Sequence, residues 1–434
     1  MSKNISKPSS LDLAILVLGN GGREHAMVKA LARSPHCAAL FCSSGNGGIA
    51  DDAECVILPT AQDVIDFCDE EDIDLVIIGP EQPLVDGVSD MLRREGILVF
   101  APSQAAAQLE ASKSFTKSIC DAANIPTASY GSFTDRAAAL SYLATQSLPI
   151  VIKADGLAAG KGVIIATTMI DATSTIHAMF DGQFGDASST VVIESFLEGE
   201  EISFFALCDG TRCVPFGSAQ DHKRAYDGDE GPNTGGMGTY APAPIMNVEL
   251  EQIIMNEIMQ PAVDEMAKRG TPYQGILFAG LMIQNNRPML IEFNARLGDP
   301  ETQVLLTRLT TDFAALCYHA ALGTLPDQPM QWDERAAVCV VMASKGYPNN
   351  YTKGTEIHNL EVAESMEDVV VYHAGTEVTE DGRLIAIGGR VLGITALGAT
   401  VLEAQQRAYA AVDTIDWKEG FCRRDIAWRA IARG

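Results

Sequence analysis

The sequence lacks any cysteine pattern that would indicate a metal or redox site, and it is short of positive charge. Its 10 cysteines form no Cys-x-x-Cys pair and have no adjacent histidine cluster, so neither a zinc site nor a redox dithiol is indicated. The 31 basic residues face 57 acidic ones, and the net charge of −26 disfavours binding to nucleic acid or anionic lipid. No apolar run approaches the ~18 residues of a membrane-spanning helix. A cytoplasmic location with reduced thiols is expected.

What is present is an ordinary globular composition, with 47% hydrophobic and 20% charged residues over 434 positions. That length suggests roughly three domains. Strand candidates at Ala14–Leu18, Asp74–Ile78 and Leu98–Phe100 alternate with helical stretches and predict an open parallel α/β sheet. The first ten residues, Met1–Ser10, are interpreted as a disordered tail rather than a signal peptide.

Two oxygen-bearing side chains lie two residues apart in the run Glu292-Phe-Asn294-Ala-Arg296, which follows the apolar stretch Pro288–Ile291. Because side chains alternate across a strand, Glu292 and Asn294 point to the same side. Mg2+ prefers hard oxygen ligands and usually takes only one or two from the protein, so the pair predicts a magnesium site. Arg296 can hold an anion through two hydrogen bonds. A strand with a solvated polar face is the alternative for this run alone.

A glycine-rich loop with two lysines follows the β-branched pair Val151-Ile152. Glycines let backbone N–H groups approach phosphate oxygens, and lysines supply positive charge. The spacing is not that of a Walker A loop, so we predict a flexible lid over a nucleotide, with little to hold it in place. A surface hairpin is the alternative. The residues predicted to contact the nucleotide here are Lys153, Gly156, Gly160, Lys161 and Gly162.

The segment Thr190–Ser203 reads as a buried strand, a short connector and a second strand. Backbone groups and a carboxylate in such a connector can read an adenine edge, and a second carboxylate can accept hydrogen bonds from ribose hydroxyls. Taken alone, this segment is a weak signal. It predicts nucleotide contacts from Glu194, Phe196, Leu197 and Glu201.

The order of these segments, with Lys113 ahead of them, resembles the ATP-grasp superfamily. Within it, the chain resembles the phosphoribosylamine–glycine ligase family, the glycinamide ribonucleotide synthetases, from about Leu13 onward. The resemblance rests on several blocks of unusual sequence. These are Gly19-Asn-Gly-Gly-Arg-Glu-His25, Gly79-Pro-Glu81, Ser112-Lys-Ser-Phe-Thr-Lys117, Lys153-Ala-Asp-Gly-Leu-Ala-Ala-Gly-Lys161, Asp221-His-Lys-Arg224, Gly231-Pro-Asn-Thr-Gly-Gly-Met-Gly238 and Gly388-Gly-Arg-Val391.

The resemblance implies an α/β and α+β multidomain protein. Its N-terminal part is an open parallel α/β sheet, its centre an ATP-grasp fold and its C-terminal part β-rich. The expected domains are a substrate-binding domain at 1–112, an ATP-grasp domain at 113–335 with a lid at about 126–197, and a C-terminal domain at 336–434.

The loop Gly19–His25 follows the first strand and invites comparison with a dinucleotide-binding fingerprint. Glu24 stands where that fingerprint needs Gly or Ala, and no suitable acid follows about 20 residues later, which disfavours NAD. A phosphate can sit on the amides of a free helix N-terminus, and the family resemblance makes it the phosphate of phosphoribosylamine. Loops after other strands of one sheet can converge on the same ligand. The predicted substrate contacts in these loops are Asn20, Gly21, Gly22, Arg23, Glu24, Gly45, Asn46, Pro80 and Glu81.

The polar run Asp221–Arg224 precedes a glycine-rich stretch that ends at Gly238. A loop of this length indicates a binding site more than a solvated turn, which is the alternative. We predict contacts to the substrate amine or to phosphates from Asp221 and Lys223, and further substrate contacts from Arg296 and Gly298.

The resemblance implies ligation of glycine to 5-phosphoribosylamine, with ATP as a substrate, through a glycyl phosphate. It implies Mg2+, or Mn2+ in its place, on Glu292 and Asn294, with Arg296, Asp221 and Lys153 as catalytic residues. Glycine, phosphoribosylamine and ATP are the expected partners, together with transient contact with neighbouring purine-pathway enzymes. The alternatives are another ATP-grasp carboxylate–amine ligase or carboxylase and a catalytically silent nucleotide-binding protein. An NAD-dependent oxidoreductase is disfavoured by the sequence of the first glycine loop.

Overall fold

The computed structural model describes residues 12–158 and 162–433, apart from the side chain of Asp186. The predicted tail at Met1–Ser10 and the predicted nucleotide contacts Gly160 and Lys161 lie outside the described residues. Within the described ranges, every helix is too short or too polar to span a lipid bilayer.

The N-terminal part is a five-stranded parallel sheet in the order β3-β2-β1-β4-β5. Strands β1 and β4 are almost wholly apolar and buried, as expected of parallel strands that are covered on both faces. The predicted open parallel sheet is confirmed. The elements are β1 Leu13–Gly19, α1 Gly22–Ala32, β2 Cys37–Ser44, β3 Glu54–Val56, α2 Ala61–Glu70, β4 Leu75–Ile78, α3 Glu81–Val85, α4 Val88–Arg94, β5 Val99–Phe100 and α5 Gln108–Ala111.

A smaller antiparallel sheet in the order β6-β9-β7-β8 follows, with its own apolar core against two helices. Its strand β7 is β-branched and ends where the glycine-rich loop begins, as predicted. The elements are α6 Lys113–Ala123, β6 Tyr130–Phe133, α7 Arg136–Leu143, β7 Ile150–Ala154, β8 Val163–Ala166, α8 Met169–Phe180 and β9 Val191–Ser195.

The remainder of the chain is organised around one large, mainly antiparallel sheet. Its elements up to the predicted C-terminal domain are β10 Glu200–Asp209, β11 Cys213–Asp221, β12 Arg224–Tyr226, β13 Glu230–Asn233, β14 Gly238–Ala241, α9 Val248–Ile254, α10 Gln260–Lys268, β15 Gln274–Gln284, β16 Arg287–Asn294, α11 Glu301–Arg308 and α12 Phe313–Leu322. The C-terminal elements are β17 Ala336–Ser344, β18 Thr355–Glu356, α13 Leu360–Glu364, β19 Val369–His373, β20 Thr376–Val378, β21 Leu384–Ala386, β22 Arg390–Gly398, α14 Val401–Val412, β23 Gly420–Phe421 and α15 Trp428–Arg433.

The large sheet crosses the predicted boundary between the central and C-terminal domains. Its strand order is β16-β15-β10-β11-β14-β17-β22-β19, with β23 also paired to β17. The junction is the antiparallel pair of β14 and β17, in which Thr239 lies opposite Cys339. The two parts of the chain therefore share backbone hydrogen bonds as well as side-chain packing.

Candidate active site

The predicted metal ligands lie side by side at the end of strand β16. Glu292 and Asn294 are half-buried on one face, and Phe293 between them points into the core on the other. Burial favours the neutral acid, but nearby positive charges, first Lys153 and then Lys113, outweigh it and lower the pKa of Glu292. A carboxylate that stays ionised next to an amide oxygen is a donor set that suits a hard divalent cation with few protein ligands.

Three buried charges connect the small sheet to strand β16. The carboxylate of Glu194 lies 3.0 Å from Lys153 Nζ and 3.2 Å from Lys117 Nζ. Lys153 Nζ also donates to the carbonyl oxygen of Ile291 at 3.1 Å, next to the predicted metal ligand, and Lys117 Nζ donates to Thr127 Oγ1 at 2.7 Å. The predicted phosphate contact Lys153 is therefore fixed by partners on two sides. Each oxygen of the Glu194 carboxylate lies next to one of these ammonium groups. An adenine that donates a hydrogen bond here would therefore compete with Lys117 or Lys153 for the same oxygen.

The base of the glycine-rich loop has partners in neighbouring segments, which the sequence does not reveal. The Asp155 N–H donates to the carbonyl oxygen of Thr190 at 3.1 Å, and the Gly156 N–H donates to that of Ala187 at 3.0 Å. Lys113 Nζ reaches the carbonyl oxygen of Gly156 at 3.5 Å. The sequence predicts mobility because glycine dominates, and that stays a prediction for the loop beyond Gly156. The bonds of Asp155 and Gly156 are made by the backbone and do not depend on side-chain type.

The connector between β9 and β10 has the predicted strand–turn–strand form. Phe196 is exposed and Leu197 half-buried, which leaves an apolar ring available to cover a ligand. Gly199 has φ +146°, and a Cβ there would lie 2.4 Å from the carbonyl oxygen of Ile283, so the turn requires glycine. The connector therefore runs directly against strand β15.

Lys223 is surrounded by acids at the end of β11. Its Nζ lies 2.7 Å from Glu201 Oε1 and 3.3 Å from the Asp221 carboxylate. Burial opposes the charged form, but these acids, first Asp221, raise the pKa of Lys223 well above its ordinary value. Glu301, which is buried nearby, accepts a hydrogen bond from Ser203 Oγ at 3.0 Å. Burial and then the charge of Asp221 raise the pKa of Glu301 to about 7.

Arg296 already has two carboxylate partners. Its Nη2 donates to Glu110 Oε1 at 2.9 Å and to Asn294 Oδ1 at 3.3 Å, and its Nε lies 3.5 Å from Glu81 Oε2. The side chain of Glu81 is 38% exposed whereas that of Glu110 is 9% exposed. An incoming anion would therefore compete mainly with Glu81, and Glu110 would continue to orient the guanidinium.

The turn after Arg296 is held from the C-terminal part of the chain. Arg390 Nη1 donates to the carbonyl oxygens of Asp299 at 2.6 Å and Gly235 at 2.7 Å. A Cβ on Gly298 would lie 2.4 Å from Glu301 Oε2, so a larger residue here would displace that buried carboxylate. Hydrogen bonds from Arg390 therefore connect the glycine-rich stretch before β14 to the turn before α11.

The N-terminus of helix α1, predicted to be free, has the amide of Gly21 occupied by a side chain of its own first turn, and the placement of a phosphate there stays a prediction. The Gly21 N–H donates to Glu24 Oε2 at 2.7 Å, and Arg23 Nε donates to the other oxygen of the same carboxylate at 2.6 Å. Arg23 Nη1 also donates to the carbonyl oxygen of Leu297 at 3.1 Å. An acidic residue one turn into a helix commonly folds back in this way. A phosphate at this loop must bind beside Glu24 or displace it.

The three glycine loops of the parallel sheet meet at its carboxyl edge. They follow β1, β2 and β4, which are neighbours in the sheet, and a Cβ on Gly79 would lie 2.0 Å from Glu24 Oε1. The Asn46 side chain donates to the carbonyl oxygens of Asn20 and His373, each at 2.9 Å, and accepts from two backbone N–H groups of its own loop. Asn46 thus ties its loop to the C-terminal part of the chain, and the hydrogen-bonding groups of its side chain already have protein partners. The predicted residues Gly45 and Pro80 lie in these same loops, and Gly22 is the first residue of helix α1.

Sequence reasoning missed four residues that the fold brings to this region: Lys117, Asp155, Glu301 and Arg390. Lys117, Asp155 and Arg390 lie inside blocks that carried the family resemblance, and Glu301 follows the predicted contact Gly298 by three residues, so proximity to a motif was the available signal. Their partners come from distant segments, which no local pattern reveals.

Comparison with known proteins gives one consistent family. Models described as the N domain, the ATP-grasp (A) domain and the C domain of phosphoribosylglycinamide synthetase match residues 13–110, 111–302 and 337–429. The phosphoribosylamine–glycine ligase of Mesorhizobium japonicum is 54% identical over 421 residues, covering 96% of this chain and 99% of that protein. That of Escherichia coli O157:H7 is 49% identical over 433 residues, covering 97% and 99%.

Solved structures agree. The crystal structure of phosphoribosylamine–glycine ligase from Thermotoga maritima has a TM-score of 0.84 at 31% identity, covering 96% of this chain and 100% of that one. A biotin carboxylase from Campylobacter jejuni has a TM-score of 0.75 at 13% identity, covering 94% and 93%, which reflects the shared fold alone. With three matching domain models and full-length relatives at about half identity, the chain belongs to the phosphoribosylglycinamide synthetase family.

Proposed function

We propose that this protein ligates glycine to 5-phosphoribosylamine and converts ATP to ADP and phosphate, the second step of purine synthesis de novo. The single observation that carries the proposal is the pairing of Glu292 and Asn294 on one strand face, next to the ammonium groups of Lys153 and Lys113. That arrangement suits a metal-bound nucleotide triphosphate. Membership of the family supports the identity of the two other substrates.

A carboxylate is a poor electrophile at neutral pH, so the γ-phosphate of ATP is first transferred to glycine. The amine nitrogen of phosphoribosylamine then attacks the carbonyl carbon of the glycyl phosphate. The C–O bond to the phosphate breaks, and the amide forms with release of phosphate and a proton. Catalysis of this kind depends on positioning and on charge neutralisation. A divalent cation held by Glu292 and Asn294 would neutralise phosphate charge, and Mg2+ fits an all-oxygen donor set, with Mn2+ as a substitute.

We assign the remaining roles by position. Lys113 and Lys153 hold phosphoryl oxygens, and the connector at Phe196–Leu197 covers the base. Asp221 and Lys223 contact the substrate amine or phosphates, and Arg296 steers an anionic group. The loops at 20–24, 45–46 and 80–81 receive the ribosyl phosphate, mainly through backbone groups because Glu24 and Asn46 already have protein partners.

We also propose the domain limits 1–112, 113–335 and 336–434, a cytoplasmic location and transient contact with neighbouring purine-pathway enzymes. The strongly negative net charge supports action on small molecules rather than on nucleic acid.

The deciding experiment measures phosphate release with ATP, Mg2+ and glycine, with and without freshly generated phosphoribosylamine. We expect release only when all substrates are present, with glycinamide ribonucleotide formed in equal amount. The Glu292→Gln variant, prepared in parallel, controls for contaminating ATPases. Release with a different amine from a panel of acceptors would support another carboxylate–amine ligase. ATP binding without phosphate release under any condition would support a silent nucleotide-binding protein.

A further inference from the structure

Asp155 occupies an unusual position between two parts of the proposed nucleotide site. It lies just after strand β7, two residues beyond Lys153, and its carboxylate points at the start of helix α6. The Ser114 N–H donates to Asp155 Oδ1 at 2.6 Å, and Ser112 Oγ donates to Oδ2 at 3.0 Å. The Lys113 N–H donates to the carbonyl oxygen of Asp155 at 3.2 Å.

These bonds satisfy the first amides of helix α6 from outside the helix. The first N–H groups of any helix lack intrahelical acceptors. In α6, Asp155 accepts the first amide through its carbonyl oxygen and the second through its carboxylate. Ser112 Oγ accepts the third, that of Phe115, at 3.1 Å. A carboxylate near a helix N-terminus is also favoured by the helix dipole. Asp155 therefore fixes both the start and the direction of α6.

Helix α6 carries two ammonium groups of the site. Lys113 is its first residue, and its Nζ reaches the carbonyl oxygen of Gly156 in the glycine-rich loop at 3.5 Å. Lys117, one turn later, shares Glu194 with Lys153. Any shift of α6 relative to β7 changes the distance between Lys113 and Lys153, and hence the fit of these two ammonium groups to a phosphate chain.

We infer that Asp155 is a positioning residue for the reaction: by joining the end of β7 to the N-terminus of α6, it sets Lys113 against Lys153 across the nucleotide phosphates. Asp155 does not need to touch the substrate for this role. The inference rests on the proposed nucleotide site.

The simpler alternative is an ordinary helix cap that contributes only to stability. Asp135 provides the matched control, because its Oδ1 accepts the Ala138 N–H at 2.8 Å at the start of helix α7 in the same sheet region. It is exposed, and its cap lies on a helix that carries none of the proposed site lysines. Replacing either aspartate by alanine removes a cap of the same chemical type.

The test compares Asp155→Ala, Asp155→Asn and Asp135→Ala in two assays. One is equilibrium dialysis with a non-hydrolysable ATP analogue and Mg2+, and the other is steady-state ligation. We expect Asp155→Ala to raise the analogue Kd and the KM for ATP by about tenfold to a hundredfold, with the KM for phosphoribosylamine unchanged. Asp155→Asn, which keeps an oxygen to accept the Ser114 N–H, should recover most of the loss. Asp135→Ala should match the wild type in both assays.

Three outcomes would overturn the inference. They are equal nucleotide binding by Asp155→Ala and Asp135→Ala, an Asn variant as impaired as the Ala variant, or equal changes in KM for ATP and for phosphoribosylamine. If Asp155→Ala does not fold, Asp155→Asn carries the test: it loses the carboxylate charge, and we expect a smaller rise in the analogue Kd and in the KM for ATP, with the KM for phosphoribosylamine unchanged. A wild-type protein that does not bind the analogue at all would refute the proposed function instead.

Discussion

Replacing Glu194 by glutamine tests the buried ion pairs beneath the proposed nucleotide site. The substitution keeps the size of the side chain and removes the negative charge that Lys117 and Lys153 share. Side-chain exposure is 3% for each lysine and 4% for Glu194, so water does not compensate for the lost charge.

The expected cost follows from this burial. Removing one partner of a buried ion pair typically destabilises a protein by about 3–5 kcal/mol. Here the amide oxygen of glutamine can still accept a hydrogen bond, and each lysine keeps a second partner at 3.1 Å or 2.7 Å. We therefore expect a loss near the lower limit, about 3 kcal/mol in the free energy of unfolding.

The loss should depend on pH with a defined sign. Burial already lowers the pKa of Lys117, an effect that Glu194 opposes, so the variant should lower it further. A lysine whose pKa is lower in the folded state destabilises the protein while the unfolded chain is protonated. The deficit of the variant should therefore shrink as pH rises from neutral toward about 10.4, the ordinary lysine pKa.

Urea-induced unfolding of the wild type and two variants measures both effects. The control is Glu198→Gln, which makes the same chemical change at an exposed position four residues further along the chain. An exposed substitution of this kind should change the free energy of unfolding by less than about 0.5 kcal/mol. If Glu194→Gln is no less stable than Glu198→Gln, or if its deficit grows with pH, the reasoning about this network is wrong.

Three further predictions concern the site. Glu292→Gln should lower kcat by about 100-fold or more, partly restored by raised Mg2+, with an unchanged circular dichroism spectrum; wild-type turnover at ordinary Mg2+ would exclude it as a ligand. Gly21→Val places a Cβ 2.8 Å from Glu24 Oε2, so the KM for phosphoribosylamine should rise far more than that for ATP; equal rises would contradict the loop assignment. Because burial raises the pKa of Glu301 to about 7, its contribution to stability is present below the unfolded value of about 4.3 and is lost as pH rises through 7. In the wild type, the urea concentration at the unfolding midpoint should therefore fall as pH rises toward 7. In Glu301→Gln this fall should be smaller, and an unchanged pH profile would show that Glu301 does not cause it.

The strands of the parallel sheet were predictable because their apolar runs are continuous. The prediction of Ala14–Leu18 corresponds to β1 at Leu13–Gly19, and that of Asp74–Ile78 to β4 at Leu75–Ile78. Burial on both faces makes such strands stand out from their polar surroundings. Strand β3 at Glu54–Val56 is short and polar at its start, and no sequence pattern predicts it.

The residue types of the site could be predicted from the sequence, but their hydrogen-bond partners within the protein could not. Glu24 and Asn46 were expected to face substrate, yet both bind protein groups in the folded chain. The partner of Asn46, His373, is 327 positions away, so only the fold reveals the contact. The partners of the Asp155 side chain, Ser112 and Ser114, are also distant in the sequence, so the sequence alone does not show that Asp155 joins the glycine-rich loop to helix α6.

The junction of β14 with β17 has a consequence for how the protein is made. Strand β14 ends at Ala241, and its partner begins at Ala336. During synthesis the central sheet therefore has an unpaired edge at β14 until the ribosome has released the residues that follow 336. Exposed strand edges pair with other chains, so a polypeptide that ends near 335 should aggregate rather than fold as a separate unit.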